Sequence, residues 1–415
     1  MNPPPAPALR ILHVAHGWPP HDLGGTELYA AAVAEAQARA GATVTHWTPA
    51  ALPKRRLPFR ETFARAEADA AFGVACAAAR PEIVHVHHLT GASMGIPAVA
   101  RGLGARVVLT LHDAWLACAR GQLVDRTGAR CPGPSEDRCA RCLAPALWAP
   151  LPPAVADRLP LRRDLVLARR GAFDQLRTHV DRFLSPSQHL PARLGLDATW
   201  LPLPLLRPMA PAPVSVPGPV RFLFLGGLLP TKGPRVALEA FARLPAGAAT
   251  LRIVGPSLPY DGRLAYVDAL RARAAEVPGV TLDGPCAPEE VHGFLTEADV
   301  LVFPSTWEEN SPLVLREAAA AGVRIVASDV PGVTEVLGSA AIRVEPGSVE
   351  AWRTAMAAEI RRGRERVAPF ASEGIDAHAA RLLEIYREVR GATPLGPRPG
   401  PFPGPFPGDG PPAVL

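Results

Sequence analysis

The chain has 415 residues, 48% hydrophobic and 20% charged, with 44 basic against 39 acidic side chains and a formal net charge of +5. That length exceeds one ordinary core and implies two or three domains, and the composition is that of a globular protein. The small basic excess, interspersed with acid, admits an anionic ligand or a membrane surface without calling for nucleic acid, and no nucleic-acid-binding motif is present.

No run reads as membrane-spanning. The longest charge-free stretch, Ile83 to Ala100 (IVHVHHLTGASMGIPAVA), contains three histidines, two glycines and a proline, whereas a span needs about 20 mainly apolar residues. The start MNPPPAPALR lacks a basic segment followed by an apolar one, so no secretory leader is expected. A cytoplasmic location follows as an expectation. The six cysteines are then expected as thiols or metal ligands rather than disulfides.

In chain order, a Pro-rich leader (1–8) precedes short apolar runs at 10–16, 42–48, 83–88, 106–112 and 182–187. A first helix is expected over 26–40. Residues 201–219 (LPLPLLRPMAPAPVSVPGP) have neither helical nor strand periodicity and read as a linker, with 206–219 separating two domains at 9–205 and 220–372. Further apolar runs follow at 220–226, 250–255, 280–284, 299–305, 324–328 and 341–345. Helices are expected between them at 234–244, 261–276, 288–297 and 312–321. A C-terminal helix is expected at 373–390. The end, 391–415, is Pro/Gly-rich and reads as a disordered tail. Buried strands alternating with helices imply parallel sheets with right-handed crossovers. The expected fold is therefore α/β, two Rossmann-like domains facing a cleft, with ligands at the carboxyl ends of the strands.

The stretch TWEENSPLVLREAAAAG (306–322) sets three carboxylates, Glu308, Glu309 and Glu317, around a Ser-Pro step where a buried strand gives way to a helix. Ser311 is a good N-cap and Pro312 suits the first helical position. The free N–H groups and positive dipole end of such a helix make an anion site suited to a diphosphate. A carboxylate offers two acceptor oxygens for vicinal hydroxyls. The alternatives are helix-dipole compensation for Glu309, and an exposed face or a salt bridge to Arg316 or Arg324 for Glu317. Glu308 has no assigned role.

EENSPLVLREAAAAGVRIVASDVPGVTE resembles the signature of retaining glycosyltransferases of family 4: Glu-x7-Glu, a small-residue helix, a Gly, a strand and a Gly-x-x-Glu turn. Glu309 and Glu317 fall on the two Glu positions. The resemblance implies the GT-B fold, with Glu309 on donor-sugar hydroxyls, Glu317 on the nucleotide ribose, and Asn310, Ser311, Pro312 and Leu313 holding diphosphate and sugar through their backbone. FLGGLLPTKGPRVALEAF (224–241) is similar to the family's strand–loop–helix in which Lys232 meets the donor phosphate. Gly227 stands where many members carry Arg, leaving Arg235 or Arg316 as substitutes. LRIVGPS (251–257) resembles the strand and Gly loop at Gly255, beside the base. In the N-terminal half, Gly24 and Gly25 permit close approach of backbone to ligand, with Thr26 as a helix cap. VVLTLHDAW (107–115) matches the strand whose His112 lies near the donor sugar. His13, His16, His85, His87 and His88 crowd the same strand ends.

The resemblance implies that Glu309, His112 and Lys232 are the catalytic group. It also implies a nucleotide-sugar donor, a glycan or lipid-linked acceptor, a role in cell-surface polysaccharide synthesis, and no cofactor for catalysis. No Asp-x-Asp motif stands out. The rival readings are a nucleotide-sugar epimerase or hydrolase on the same fold, and a non-catalytic sugar-nucleotide-binding subunit.

Two features lie outside that scheme. Cys118, Cys131, Cys139 and Cys142 fall within one 118–142 insert, a spacing that can surround a structural zinc, with four reduced thiols as the alternative. Some bacterial members of the family it resembles carry a comparable Cys-containing insert after a His-Asp-x-Trp motif. Cys76 and Cys286 read as isolated core cysteines. Basic clusters at Lys54, Arg55, Arg56 and Arg60, and at Arg158, Arg162, Arg163, Arg169 and Arg170, suit either peripheral contact with an anionic membrane or an ordinary surface helix.

Overall fold

A computed structural model describes residues 8–52, 57–147, 151–152, 155, 158–159, 161–211 and 218–393. Lys54, Arg55, Arg56 and most of the tail lie outside the described residues.

All eleven expected apolar runs form strands, and a twelfth, short strand is added. The first sheet contains β1 (Arg10–Val14), β2 (Thr43–Trp47), β3 (Ile83–Val86), β4 (Arg106–Thr110), β5 (Arg182–Ser185) and β6 (Thr199–Trp200). The last of these has two residues and too little pattern to detect in the sequence. The second sheet contains β7 (Val220–Leu225), β8 (Ala249–Val254), β9 (Val280–Leu282), β10 (Val300–Phe303), β11 (Arg324–Ser328) and β12 (Ile342–Val344). Both sheets are parallel throughout, with orders β2-β1-β3-β4-β5-β6 and β12-β11-β10-β7-β8-β9. The first reverses direction between β1 and β3, the second between β7 and β10. Ligand crevices open at such switch points, beyond the carboxyl ends of the strands. This is the two-Rossmann GT-B architecture.

Alternate residues of each strand feed different cores because strand side chains alternate in direction. In the second sheet, Phe222, Phe224, Ile253, Val300 and Val302 pack one face, and Leu223, Leu225, Val254, Leu301 and Phe303 the other. In the first sheet, Leu12, Val84, Val107 and Phe183 enter the larger cluster. Ile11, Ile83, Val108 and Leu184 face a cluster completed by Leu382, Leu383, Tyr386 and Val389. Those four come from the C-terminal helix, Ile375–Gly391. The chain therefore returns from the second domain to roof the first sheet beside helix α1 (Gly25–Arg39). Nothing local in the sequence specifies that return.

The expected linker is partly structural. Leu201 and Leu203 are buried in that same cluster, and the Leu205 amide donates to the Glu373 carbonyl at 2.8 Å. Residues 212–217 lie outside the described residues.

Candidate active site at the facing strand ends

The Lys-Gly step after β7 begins the site. Gly233 has φ +71, and a Cβ there would stand 2.0 Å from the Pro304 carbonyl oxygen. Only glycine permits both the left-handed backbone and that approach. The loop thus lies on the end of β10 and carries Lys232 to Glu309. The ammonium nitrogen is 2.7 and 3.0 Å from the two carboxylate oxygens. Ser305 Oγ (2.6 Å) and Trp307 Nε1 (2.7 Å) also donate to Glu309 Oε1. Lys232 sits 5.0 Å from the Trp307 ring centroid, a cation–π contact. Glu309 is only 3% exposed, so this carboxylate is a fully partnered buried anion rather than a loose compensator of a helix dipole. Ser305 and Trp307 were not among the candidates; their polar character beside a carboxylate was the only sequence signal.

The following helix, Leu313–Ala320, starts one residue later than expected. Pro312 is the N-cap, in extended conformation, and no side chain caps the helix. Ser311 instead accepts a hydrogen bond from Arg316 at 3.4 Å. The uncapped first turn leaves backbone donors available to a ligand. A Cβ on Gly25 would lie 3.6 Å from Leu313 Cδ1, so the Gly-Gly loop of the first domain meets this helix start. Gly24 is the N-cap of α1, and Thr26 lies inside that helix rather than capping it.

Asn310 ties the two domains. Its side-chain amide donates to the carbonyls of Leu111 (2.7 Å) and His112 (3.1 Å), and its oxygen accepts from the Ser187 hydroxyl. Glu308 acquires a role here: it pairs with Arg130 of the cysteine insert and with Arg193. Glu335, from the Gly-x-x-Glu turn, accepts hydrogen bonds from the Gln188 and His189 amides at 2.6 and 3.0 Å and from His189 Nδ1 at 2.9 Å. Gly332 of the same turn is pressed against the site, because a Cβ there would stand 1.7 Å from the Glu309 carbonyl oxygen.

Glu317 pairs with neither expected arginine. Arg324 is held by Glu359 at 2.6 Å, and Arg316 is turned to Ser311. Burial pushes the Glu317 carboxyl up to about 7, opposed by the field of Arg207. Gly227 is tight, since a Cβ would meet Leu258 Cδ1 at 2.9 Å. Of its two proposed substitutes, Arg316 is at the helix mouth, while Arg235 is 58% exposed and lies 3.9 Å from Glu239. Gly255 sits against the neighbouring strand end: its Cβ would meet the Gly226 carbonyl oxygen at 1.9 Å.

Across the cleft, His112 is the outermost member of a buried histidine chain. The parallel register sets His13 opposite His85, and strand alternation puts His87 on the same face as His85. His13 Nε2 is 2.9 Å from Gln37 Oε1, His13 Nδ1 is 2.8 Å from His87 Nε2, and His87 Nδ1 is 3.4 Å from His112 Nε2. His85 lies between Thr110 (2.7 Å) and the Tyr386 hydroxyl (2.5 Å). Burial lowers His112 to about 3 and His13 to about 4, and it holds His85 and His87 well below the ordinary range. All four are neutral at physiological pH. Among the described residues, His13, His85 and His87 are the three ligating side chains with donor atoms within 4.8 Å of one another. The His13–His87 bond and the Gln37, Thr110 and Tyr386 contacts already engage nitrogens of this trio, so it reads as a polar network. His16 and Glu27 form a separate pair at 2.6 Å, and His88 and Asp113 another at 3.3 Å.

Residues 219–361 match the family described as "Glycosyl transferases group 1". The second sheet, with Lys232, Glu309 and Glu317, lies within that match. The sequence is similar to a lipopolysaccharide 1,2-N-acetylglucosaminetransferase of Salmonella typhimurium, 30% identical over 118 residues covering 27% of this chain and 31% of the relative. A D-inositol 3-phosphate glycosyltransferase of Acidothermus cellulolyticus is 34% identical over 119 residues, covering 27% and 26%. One of Arthrobacter is 28% identical over 270 residues, covering 62% and 56%. The chain thus spans less than a third of the first two relatives. Sucrose-phosphate synthase from Thermosynechococcus elongatus shares the fold, with TM-score 0.66 and 20% identity, over 93% of this chain and 100% of that one. So does Anabaena Alr3699/HepE, solved with UDP and glucose, with TM-score 0.58 and 14% identity, over 92% and 98%.

The cysteine insert contributes a separate cavity, lined by all four of its cysteines. Cys76 is buried, while Cys286 is only half-buried. The second basic cluster does not form one solvated stripe. Arg169 is buried, Arg162 pairs with Asp164 and Arg163 with Asp137. No helix among the described residues is long and apolar enough to cross a membrane.

Proposed function

We propose that this protein is a retaining glycosyltransferase that transfers a sugar from a nucleotide-sugar donor to a glycan or lipid-linked acceptor, in the synthesis of cell-surface polysaccharide. The observation that carries this reading is the Lys232–Glu309 pair, set beside an uncapped helix start at the β7/β10 switch point. A doubly anionic diphosphate suits the free N–H groups of Leu313 and its neighbours, with Lys232 as counter-charge. Charge building on the leaving diphosphate is then stabilised by groups already in position. Glu309 orients the donor-sugar hydroxyls and Glu317 the ribose. In a front-face mechanism the donor's own phosphate oxygen takes the proton of the acceptor hydroxyl, so no protein base is assigned. His112, held neutral, is a hydrogen-bonding partner for the sugar rather than a cation.

The complex of Anabaena HepE with UDP-glucose supports a nucleotide-sugar donor by likeness of fold. Peripheral membrane contact is part of the proposal, supported by exposed Val155, Leu159 and Leu167 near Arg162 and Arg163. The glycine at position 227 favours one second reading, a subunit that binds sugar nucleotides without turning them over.

A thermal-shift panel of UDP-, GDP- and ADP-sugars tests donor binding, since a ligand of the native state raises its stability. With the donor found, NMR of the product should give the same anomeric configuration as the donor. Inversion would sink the retaining assignment, and binding without transfer to any acceptor would favour the silent subunit.

A further inference from the structure

Arg169 is 5% exposed, yet no carboxylate among the described residues reaches it within salt-bridge distance. Its terminal nitrogens donate to the carbonyls of Leu116 (3.0 Å) and Trp115, and its guanidinium lies 5.0 Å from the Trp115 ring centroid. Its Nε has no partner. A buried cation without an anion is costly. The carboxylate whose field reaches it is Asp113, and Asp113 is bonded to His88.

The same arginine lines a cavity of about 60 Å³ with Cys118, Cys131, Cys139 and Cys142. Cys139 and Cys142 stand three apart on helix Glu136–Leu147, so they share a face. Cys118 and Cys131 are presented by a closed loop. The Cys118 amide donates to the Ala114 carbonyl at 2.8 Å, the Cys131 amide to that of Leu123 at 2.7 Å, and Val124 pairs with Arg130 across it.

We infer that these four cysteines bind one zinc ion as thiolates. A tetrathiolate zinc carries two negative charges, which supply the missing counter-charge for Arg169. Four sulfurs and no open position define a structural rather than a catalytic site. The sulfurs are not yet at ligand spacing, since no three of them lie within 4.8 Å of one another. Zinc–sulfur bonds of about 2.3 Å require them closer, so the inference includes an inward shift of the four sulfurs on binding. Binding releases four thiol protons and oxidises nothing. The site also reaches the cleft: the Cys131 carbonyl accepts from Arg193, and Arg193 and Arg130 both hold Glu308.

The test is metal analysis of the full-length protein, purified without chelator from zinc-supplemented cells, with thiol counting in parallel. About one zinc per chain is expected, and six thiols should react after denaturation without reductant. In the native protein, a chelator should release the zinc and expose four further thiols to a thiol reagent. Cys139→Ser should lose the metal and Cys76→Ser should keep it. If Cys139→Ser fails to fold, the wild-type metal and thiol counts decide alone. Absence of zinc, a deficit of four thiols showing two disulfides, or the visible absorption of an iron–sulfur cluster would each overturn the inference.

Discussion

Lys232 Nζ lies 2.7 and 3.0 Å from the two carboxylate oxygens of Glu309, although 77 residues separate them in the chain. The pair is made before any ligand arrives. Glu309 is thereby fixed by three side-chain donors, and Lys232 is held beside the helix start instead of extending into solvent. A pre-positioned charged pair, its carboxylate buried and its ammonium half-buried at the cleft, is suited to electrostatic stabilisation of a leaving group.

Lys232→Ala removes the counter-charge and leaves Glu309 buried without its cation. Donor turnover should fall by about 10²–10³-fold, and nucleotide affinity should fall as well. Glu317→Ala should weaken nucleotide binding without disturbing the Lys232–Glu309 pair. Isothermal titration with the preferred nucleotide checks both, and unchanged affinity in both variants would remove the donor-site assignment.

Gly332→Ala should damage the site while leaving both sheets intact. The added methyl would meet the Glu309 carbonyl oxygen at 1.7 Å and the Asn310 amide nitrogen at 3.0 Å, so the loop carrying Glu309 must move. Near-wild-type far-UV circular dichroism with a large loss of transfer is the expected result. Wild-type turnover would show that the loop position does not matter.

Glu317 titrates near pH 7 in the folded protein, against about 4.3 in an unfolded chain. Between these values the native state holds a proton that the unfolded state has lost, so this group makes stability fall as pH rises through that window. The full penalty, on the order of 3 kcal/mol, stands above pH 7. Glu317→Gln should therefore match wild type in Tm near pH 4.5 and exceed it by several degrees at pH 8. Equal Tm differences at both pH values would refute the raised pKa.

The histidine chain works in the opposite direction. His13 titrates near 4 and His112 near 3, whereas unfolded histidine titrates near 6.5. The unfolded state takes the proton first, so stability is complete above about pH 6.5 and is lost as pH falls toward 4. Each such histidine steepens the fall by up to about 1.4 kcal/mol per pH unit. Urea unfolding of wild type and His13→Gln at pH 7 and pH 5 should show a smaller acid loss in the variant. Tyr386→Phe removes the bond to His85 and the one from Gln37 (3.3 Å). It should cost about 1–2 kcal/mol, seen as a lower urea midpoint.

Much was legible in the sequence because its signals are local. Apolar runs bounded by Gly and Pro located eleven strands, and their alternation with helices implied parallel sheets. The spacing of Glu309 and Glu317 and the Lys-Gly step marked the site. Helix boundaries were less legible: the helix expected over 261–276 spans Ala265–Ala275 and that expected over 288–297 spans Val291–Glu297. Ser311 and Thr26 looked like caps from their chemistry, but the backbone enters those helices at Pro312 and Gly24.

What required the tertiary structure is every relationship that spans the chain. Strand order determined that the loops after β7 and β10 share one crevice, and so that Lys232 meets Glu309. Glu308 gained partners only because Arg130 of the cysteine insert and Arg193, both far earlier in the chain, fold against it. The C-terminal helix supplies Tyr386 to a histidine row whose alignment depends on the β1–β3 register. Arg169, which reads in the sequence as one of a basic surface cluster, is buried among cysteines. The periodicity of a sequence records which side chains leave water, since burial follows from local pattern. It does not record which distant partner a buried charge will find, because that depends on how whole sheets and helices pack.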